Sequence, residues 1–296
     1  SVGKTKMGVA LAKKFNGEVI SGDSMQIYKQ MDIGTAKVTE EEKEGIIHHC
    51  VDILNPDETY SVHDFQQTVR KKITEITQRG HVPIIVGGTG LYIKAALYDY
   101  QFDEMENDHH AINEKYKDYT NEQLHDHLKS IDEESAKILH FNNRRRVLRA
   151  IEIYETTGKR KSEMLEEQEH ICLYDAYFVG LTLPRDVLYE RINKRVDVMM
   201  ENGLKEEMEH LYSQGLTRNH QSMKAIGYKE WFDYYDHQID LNDVLELIKK
   251  HSRQYAKRQY TWFKNQFDVH WYDVNLENFE QTIEQVTDDI EKILKV

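Results

Sequence analysis

Gly3-Lys4-Thr5 is the second half of a phosphate-binding loop of pattern G-x-x-x-x-G-K-[ST], and it heads an apolar-rich run, Met7, Val9, Ala10, Leu11 and Ala12, that reads as a helix. In such a loop backbone N–H groups and the helix N-terminus face phosphate oxygens, the lysine adds a mobile charge, and the threonine hydroxyl can hold Mg²⁺. The first glycine of the pattern would fall before Ser1, so the chain is expected to open inside the motif. Ser1, Val2, Gly3, Lys4 and Thr5 are then the phosphate-binding residues, with Thr5 the metal ligand. Asp23, in Gly22-Asp23-Ser24-Met25-Gln26, admits three readings. It grips a metal at a strand end, acts as a base on a bound amine beside Ser24 and Gln26, or simply caps a turn. Thr89, in Gly87-Gly88-Thr89-Gly90, can bring its hydroxyl and backbone N–H to an anion, or belong to a tight strand-to-helix turn.

These residues need elements to hold them. Glu18-Val19-Ile20-Ser21 reads as a short buried parallel strand that delivers Asp23 to its carboxyl end, where ligands sit in open α/β sheets. Ser61 with Asp64 opens a helix through Phe65, Val69, Ile73 and Ile76 that stops at Arg79-Gly80. Val82-Pro83-Ile84-Ile85-Val86 is a second buried strand, running into the Thr89 turn and another helix. Repeated strand-loop-helix units predict an α/β fold with a parallel, doubly wound sheet flanked by helices. The strand signal vanishes over residues 101–172, which read as an inserted all-helical subdomain between core segments 1–100 and 173–296. A strand returns at residues 176–183, a long helix follows Pro184, and the remainder is helical apart from a short strand at residues 269–272.

The 296 residues are 39% hydrophobic and 31% charged, which excludes collagen-like and disordered classes, and no apolar run approaches the ~20 residues of a membrane-spanning helix. Two cysteines, Cys50 and Cys172, form neither a disulfide framework nor a zinc site, so a reducing cytoplasm is the expected setting. His48-His49-Cys50 resembles a metal cluster only superficially and is read as structural. The net charge of -13 disfavours nucleic acid, but its distribution does not. Residues 99–141 carry 12 acids against 4 bases, and residues 268–296 carry 8 against 2, so these stretches hold the whole deficit. Between them lie two basic islands: Arg144, Arg145, Arg146 and Arg149, then Lys249, Lys250, Arg253, Lys257, Arg258 and Lys264, with no acid over residues 247–267. Solvated helix faces and RNA-phosphate contacts both fit such runs.

The combination of Gly3-Lys4-Thr5, Gly22-Asp23-Ser24-Met25-Gln26-Ile27-Tyr28, Met31-Asp32-Ile33-Gly34-Thr35-Ala36-Lys37 and Gly87-Gly88-Thr89-Gly90-Leu91-Tyr92 resembles the bacterial tRNA dimethylallyltransferase family. The resemblance continues through residues 142–152, Arg195-Val196-Asp197-Val198-Met199, Ala225-Ile226-Gly227-Tyr228-Lys229-Glu230 and Arg253-Gln254-Tyr255-Ala256-Lys257-Arg258-Gln259. It implies a P-loop NTPase-like core and transfer of the dimethylallyl group of dimethylallyl diphosphate to N6 of adenosine 37 in tRNA, with no ATP consumed and the P-loop holding diphosphate. Carried over by position, Asp23 is the general base, while Lys4, Thr5, Thr89 and Arg195 stabilise the departing diphosphate with Mg²⁺. Asp23, Ser24, Met25 and Gln26 receive the adenine. Arg145, Arg146, Arg149, Arg253, Lys257 and Arg258 contact tRNA, although Arg145 stands where the family has Gln, and no arginine occurs between Arg79 and Arg144 where many members have one. The partners implied are tRNA and dimethylallyl diphosphate, with a cytoplasmic, monomeric enzyme and no membrane.

Alternatives remain at this point. A kinase would need ATP and an Asp-rich magnesium strand, yet the strand at residues 82–86 ends in Gly. A prenyltransferase acting on a free adenine nucleotide would not need the basic islands. A non-catalytic RNA-binding module would not need Lys4, Asp23 and Thr89 at three ligand-facing loops.

Overall fold

The computed structural model describes residues 1–100, 109–166 and 170–294; residues 101–108 of the acidic stretch lie outside them. The chain forms two compact units, Ser1–Leu97 with Tyr174–Val296, and Tyr98–Leu173.

In the larger unit, helix α1 (Lys4–Lys14) leads into strand β1 (Gly17–Gly22), and short α2 (Glu40–Lys43) precedes two-residue β2 (His48–His49). Helix α3 (Val62–Gln78) follows, then β3 (Val82–Gly87) and α4 (Gly90–Leu97). Ser61 and Asp64 close a reciprocal capping box at the start of α3, and Phe65, Val69, Ile73 and Ile76 are its buried face, as their spacing predicts. β1 pairs in parallel with β3 along its full length, Gly17 opposite Val82 through Gly22 opposite Gly87. That register carries Asp23 and Thr89 off neighbouring strand ends. On its other edge β1 pairs with β2, a strand too short to leave a pattern in the sequence.

After the smaller unit the chain returns as β4 (Phe178–Thr182) and α10 (Arg185–Glu201), whose entry Pro184 marks. Then come α11 (Leu204–Ser213), α12 (Trp231–Tyr235), the 26-residue α13 (Leu241–Gln266), β5 (Val269–Asp273) and α14 (Phe279–Leu294). β4 and β5 are parallel. The expected parallel sheet flanked by helices is present, but in two pieces among the described residues: β2-β1-β3 and β4-β5. β3 and β4 each line a cavity of about 1280 Å³ along their whole lengths, and share no backbone ladder across it. Met7 and Leu11 of α1 pack with Tyr272 and Val286 into one apolar cluster.

The smaller unit is helical, as the loss of strand signal predicts: α5 (His109–Lys115), α6 (Asn121–Ile131), α7 (Glu133–Ile138), α8 (Arg144–Thr157) and α9 (Lys161–Glu166). Ile112, Tyr116, Leu124, Leu128, Val147 and Ile151 form its own core. Buried Asp132 accepts the Ser135 amide at 3.0 Å and the Ser162 hydroxyl at 2.7 Å, tying the starts of α7 and α9 together.

Candidate active site

Gly3 sits at φ 91°, a left-handed conformation that suits glycine, and turns the chain into α1 without any side-chain cap. The first turn of α1 contains no acid, so its leading N–H groups and positive dipole end remain available to an anion. Lys4 faces the cavity, and Arg195 of α10 lines it with Lys4. Both meet solvent within the cavity, with protein packed around them, and burial pulls the Lys4 ammonium and the Arg195 guanidinium below their ordinary values. Arg195 has no ion pair among the described residues. Two cations that open on the cavity, neither in an ion pair among the described residues, suit a multiply charged anion.

Asp23 lies at the end of β1 and lines the same cavity. Its Oδ1 accepts the Met25 amide at 2.8 Å, so the turn-capping reading holds as well. Burial raises the Asp23 carboxyl above its ordinary value; the Met25 N–H, the Lys4 charge and the Gln26 N–H pull it part of the way back. Lys4 and Asp23 feel each other's charge without forming an ion pair among the described residues. A carboxylate raised toward neutrality in a cavity is suited to accept a proton.

Thr89 departs from one expectation. Its N–H donates to the Gly22 carbonyl at 3.1 Å and so is spent on the β1–β3 junction rather than on an anion. Its hydroxyl oxygen accepts the Ser24 amide at 3.1 Å and its hydroxyl donates to Ser24 Oγ at 3.4 Å. Gln26 is likewise engaged internally: Ser21 Oγ donates to its Oε1 at 3.0 Å, and its Nε2 donates to the Thr35 and Ala36 carbonyls at 3.3 Å each. Asp23, Ser24 and Met25 line the cavity with Lys4, Ser1, Val2 and Arg195, whereas Gly3, Thr5, Thr89 and Gln26 are half-buried beside its lining residues in the chain. Thr5 is the second residue of α1 and half-buried.

Two residues that motif reading passed over come from α13. Gln259 donates from Nε2 to the Gly88 carbonyl at 2.8 Å, and Tyr255, one turn earlier on the same face, reaches that carbonyl at 3.5 Å. Burial and the Asp23 charge push the Tyr255 hydroxyl upward. The i, i+4 spacing of two polar-tipped residues inside a basic helix was the available signal.

The basic islands divide on inspection. Lys257 and Arg258 are exposed and line the cavity, and Arg258 lies over the Tyr255 ring at 5.8 Å. Arg253 donates to Asn193 Oδ1 at 2.5 Å, and Lys249 is paired with Asp197 at 2.8 Å and Glu246 at 3.3 Å, so the acid-free run finds acids on other turns and other helices. Trp262 packs on Gly90 and Phe263 stacks on Phe267. In the helical unit Arg144 is structural, donating to the Tyr116 carbonyl at 2.7 Å and the Tyr119 carbonyl at 2.6 Å. Arg149 pairs with buried Glu152 at 2.8 Å, whereas Arg145 and Arg146 are exposed without an ion pair among the described residues. His49 and His81 hydrogen-bond buried Glu18 at 2.6 and 2.7 Å, which gives the His48-His49 pair its structural use.

The IPP transferase family model matches residues 26–266. A tRNA dimethylallyltransferase of Bacillus cereus (strain AH187) is 54% identical over 277 residues, 93% of this chain and 87% of that protein. A tRNA dimethylallyltransferase of Bacillus anthracis is 53% identical over 93% of this chain and 88% of its own. Among solved structures, a tRNA delta(2)-isopentenylpyrophosphate transferase from Staphylococcus epidermidis is 48% identical with a TM-score of 0.73, covering 99% of this chain and 96% of that one. A eukaryotic dimethylallyltransferase acting on tRNA is 32% identical with a TM-score of 0.84, covering 97% of this chain and 75% of that one. With the family model matched over residues 26–266 and relatives more than half identical along nearly its whole length, this chain belongs to the IPP transferase family.

Proposed function

We propose that this chain transfers the dimethylallyl group of dimethylallyl diphosphate to N6 of adenosine 37 in tRNA and releases diphosphate. The observation that carries the reading is that Asp23, Lys4 and Arg195 line one cavity, where Lys4 feels the charge of both others. The N6–carbon bond forms as the carbon–oxygen bond to diphosphate breaks; Asp23 takes the amine proton, and the departing charge falls to the α1 N-terminus, Lys4 and Arg195. An exocyclic amine is a poor nucleophile, so a carboxylate within hydrogen-bond reach is worth ~10²- to 10⁴-fold. Cations already in place on the cavity cost little reorganisation when the diphosphate charge develops. Thr89 acts through Ser24, holding the segment that receives the adenine.

Mg²⁺ suits this site as an ion carried with the diphosphate. Among the described residues no three His, Cys, Asp or Glu gather to hold a metal. Magnesium is commonly bound through substrate phosphates, waters and one or two protein oxygens, and Thr5 would supply the hydroxyl. When bound it neutralises charge on the diphosphate. Residues 101–172 form the tRNA-contacting subdomain of this reading, through Arg145, Arg146 and Arg149, while Arg253, Lys257 and Arg258 serve on α13. The enzyme acts as a cytoplasmic monomer; no helix among the described residues is long and apolar enough to cross a membrane.

The test mixes the protein with radiolabelled dimethylallyl diphosphate, Mg²⁺ and an anticodon stem-loop bearing adenosine at the target position, with AMP and ATP in parallel. Label in the RNA, lost in Asp23→Ala while stem-loop binding persists, is the expected result. Label in AMP alone, or phosphate transfer from ATP, overturns it.

A further inference from the structure

The segment 31–37, Met-Asp-Ile-Gly-Thr-Ala-Lys, carries no reactive group placed at Asp23, yet Gly34, Thr35 and Ala36 line the active cavity. It is also what holds Gln26, through the Thr35 and Ala36 carbonyls. Its shape is unusual in cost: Ala36 sits at φ 50°, in the left-handed region that residues with a Cβ avoid. Internal bonds alone supply part of the support, from the Ala36 amide to the Ile33 carbonyl and the Lys37 amide to the Asp32 carbonyl, both at 2.9 Å.

The rest comes from far away in the chain. Glu207 of α11 turns its carboxylate into the concave side of the segment, where Oε2 accepts the Asp32 and Ile33 amides at 2.8 Å each and Oε1 accepts the Gly34 amide at 3.1 Å. Successive amides converging on one point make a nest for an anion, and here the protein's own carboxylate fills it. The buried Tyr228 hydroxyl donates to Oε1 at 2.6 Å, which engages both carboxylate oxygens with two donors apiece. Tyr228 also sets the distance, because a Cβ on Gly34 would stand 2.5 Å from its ring. At the far end the nearly buried Lys37 ammonium donates to the Tyr28 carbonyl at 2.8 Å and to Asp32 and Asp52 at 2.5 Å each.

We infer that Glu207 is a positioning residue for the nucleic-acid substrate: it moulds segment 31–37, and through Gln26 the adenine-receiving end of β1, without touching substrate. The inference rests on the reading that the target adenine enters beside Asp23 while diphosphate lies against Lys4 and Arg195. Glu207 supports only the former, since its bonds run to segment 31–37 and Tyr228 and none among the described residues runs to α1. Glutamine in its place keeps the volume but replaces one acceptor oxygen by a donor that faces the same N–H groups.

The experiment compares wild type, Glu207→Gln, Glu207→Asp and Tyr228→Phe. Dissociation constants are measured for the anticodon stem-loop and separately for inorganic diphosphate with Mg²⁺, and steady-state KM for each substrate. Glu207→Gln should weaken stem-loop binding about tenfold and raise the RNA KM likewise, with diphosphate binding and the dimethylallyl diphosphate KM within about twofold of wild type. Tyr228→Phe should move the same way by less, and Glu207→Asp should recover part of the loss. Equal weakening of both ligands, or no change in either, overturns the inference; circular dichroism on the milder variants separates this from failure to fold. A wild type that binds the stem-loop but transfers no prenyl group would sink the functional reading, and the binding split would still decide Glu207.

Discussion

The Thr89 hydroxyl oxygen accepts the Ser24 amide hydrogen at 3.1 Å, so the turn after β3 fixes the residue that follows Asp23 on β1. One hydrogen bond thus joins two glycine-flanked motifs that are 65 positions apart in the chain. Thr89→Val keeps the volume and removes the acceptor, leaving the Ser24 amide without its partner. Prenyl transfer should fall about tenfold to a hundredfold, since small misplacements of a reacting group are costly. Thr89→Ser should restore most of it in the same assay.

The pH profile of kcat/KM for the free enzyme should be narrow. Asp23 must be ionised to accept a proton, and burial lifts its carboxyl above the ordinary 3.8, so the acid limb lies at higher pH than an exposed aspartate would give. Lys4 must stay protonated to hold diphosphate, and burial lowers it from 10.5, so the alkaline limb is drawn inward. Lys4→Arg should push the alkaline limb outward, at reduced rate, because guanidinium does not lose its proton in this range.

Buried Glu18 governs acid stability away from the site. The Arg79 guanidinium, hydrogen-bonded at 2.7 Å, holds its carboxyl down at about 2 against burial, aided by His49 and His81. A depressed carboxylate contributes stability that is present above its unfolded value and lost as pH falls through its folded one. Urea midpoints of wild type and Glu18→Gln should differ most near neutrality, and the gap should close between about 4.5 and about 2.

Neighbouring arginines on α8 should behave oppositely. Arg144→Ala removes two bonds to backbone carbonyls and should cost about 1–3 kcal/mol in stability, with the salt dependence of stem-loop binding unchanged. Arg145→Ala or Arg146→Ala should leave stability alone and reduce the slope of log affinity against log salt by about 1. Thermal melting and a salt titration of binding distinguish the two.

Periodicity sufficed for the long helices and for β1, β3, β4 and β5, because their apolar residues repeat at the spacing the packed face requires. It also located the ends of β1 and β3, where Asp23 bonds to its own turn and Thr89 to Gly22 and Ser24 of the neighbouring strand end. It failed at β2, whose two residues are too few to form a pattern, and at the division of the sheet, which depends on pairing rather than on any strand's composition. The roles of Glu207, Tyr255 and Gln259 were hidden for a related reason. Each acts through a backbone group of a distant loop, and a carbonyl or amide leaves no mark in the sequence. Lys249 misled in the opposite sense, since an acid-free run gave no hint of Asp197 on α10.

The seating of α1 has a bearing on the order of events during synthesis. Met7 and Leu11 find their apolar neighbours in Tyr272 and Val286, and Lys6 and Lys14 find their ion partners in Glu280 and Glu291, at 3.1 and 2.8 Å. The helical unit closes its core from nearby residues and can collapse as soon as it leaves the ribosome, whereas contacts between distant segments must wait for the later one. Helix α1 therefore settles in two stages: its face toward β1 and β3, where Gly8 lies against Val86, can pack once β3 is made, whereas the face carrying Lys6, Met7, Leu11 and Lys14 stays partly uncovered until α14 has emerged.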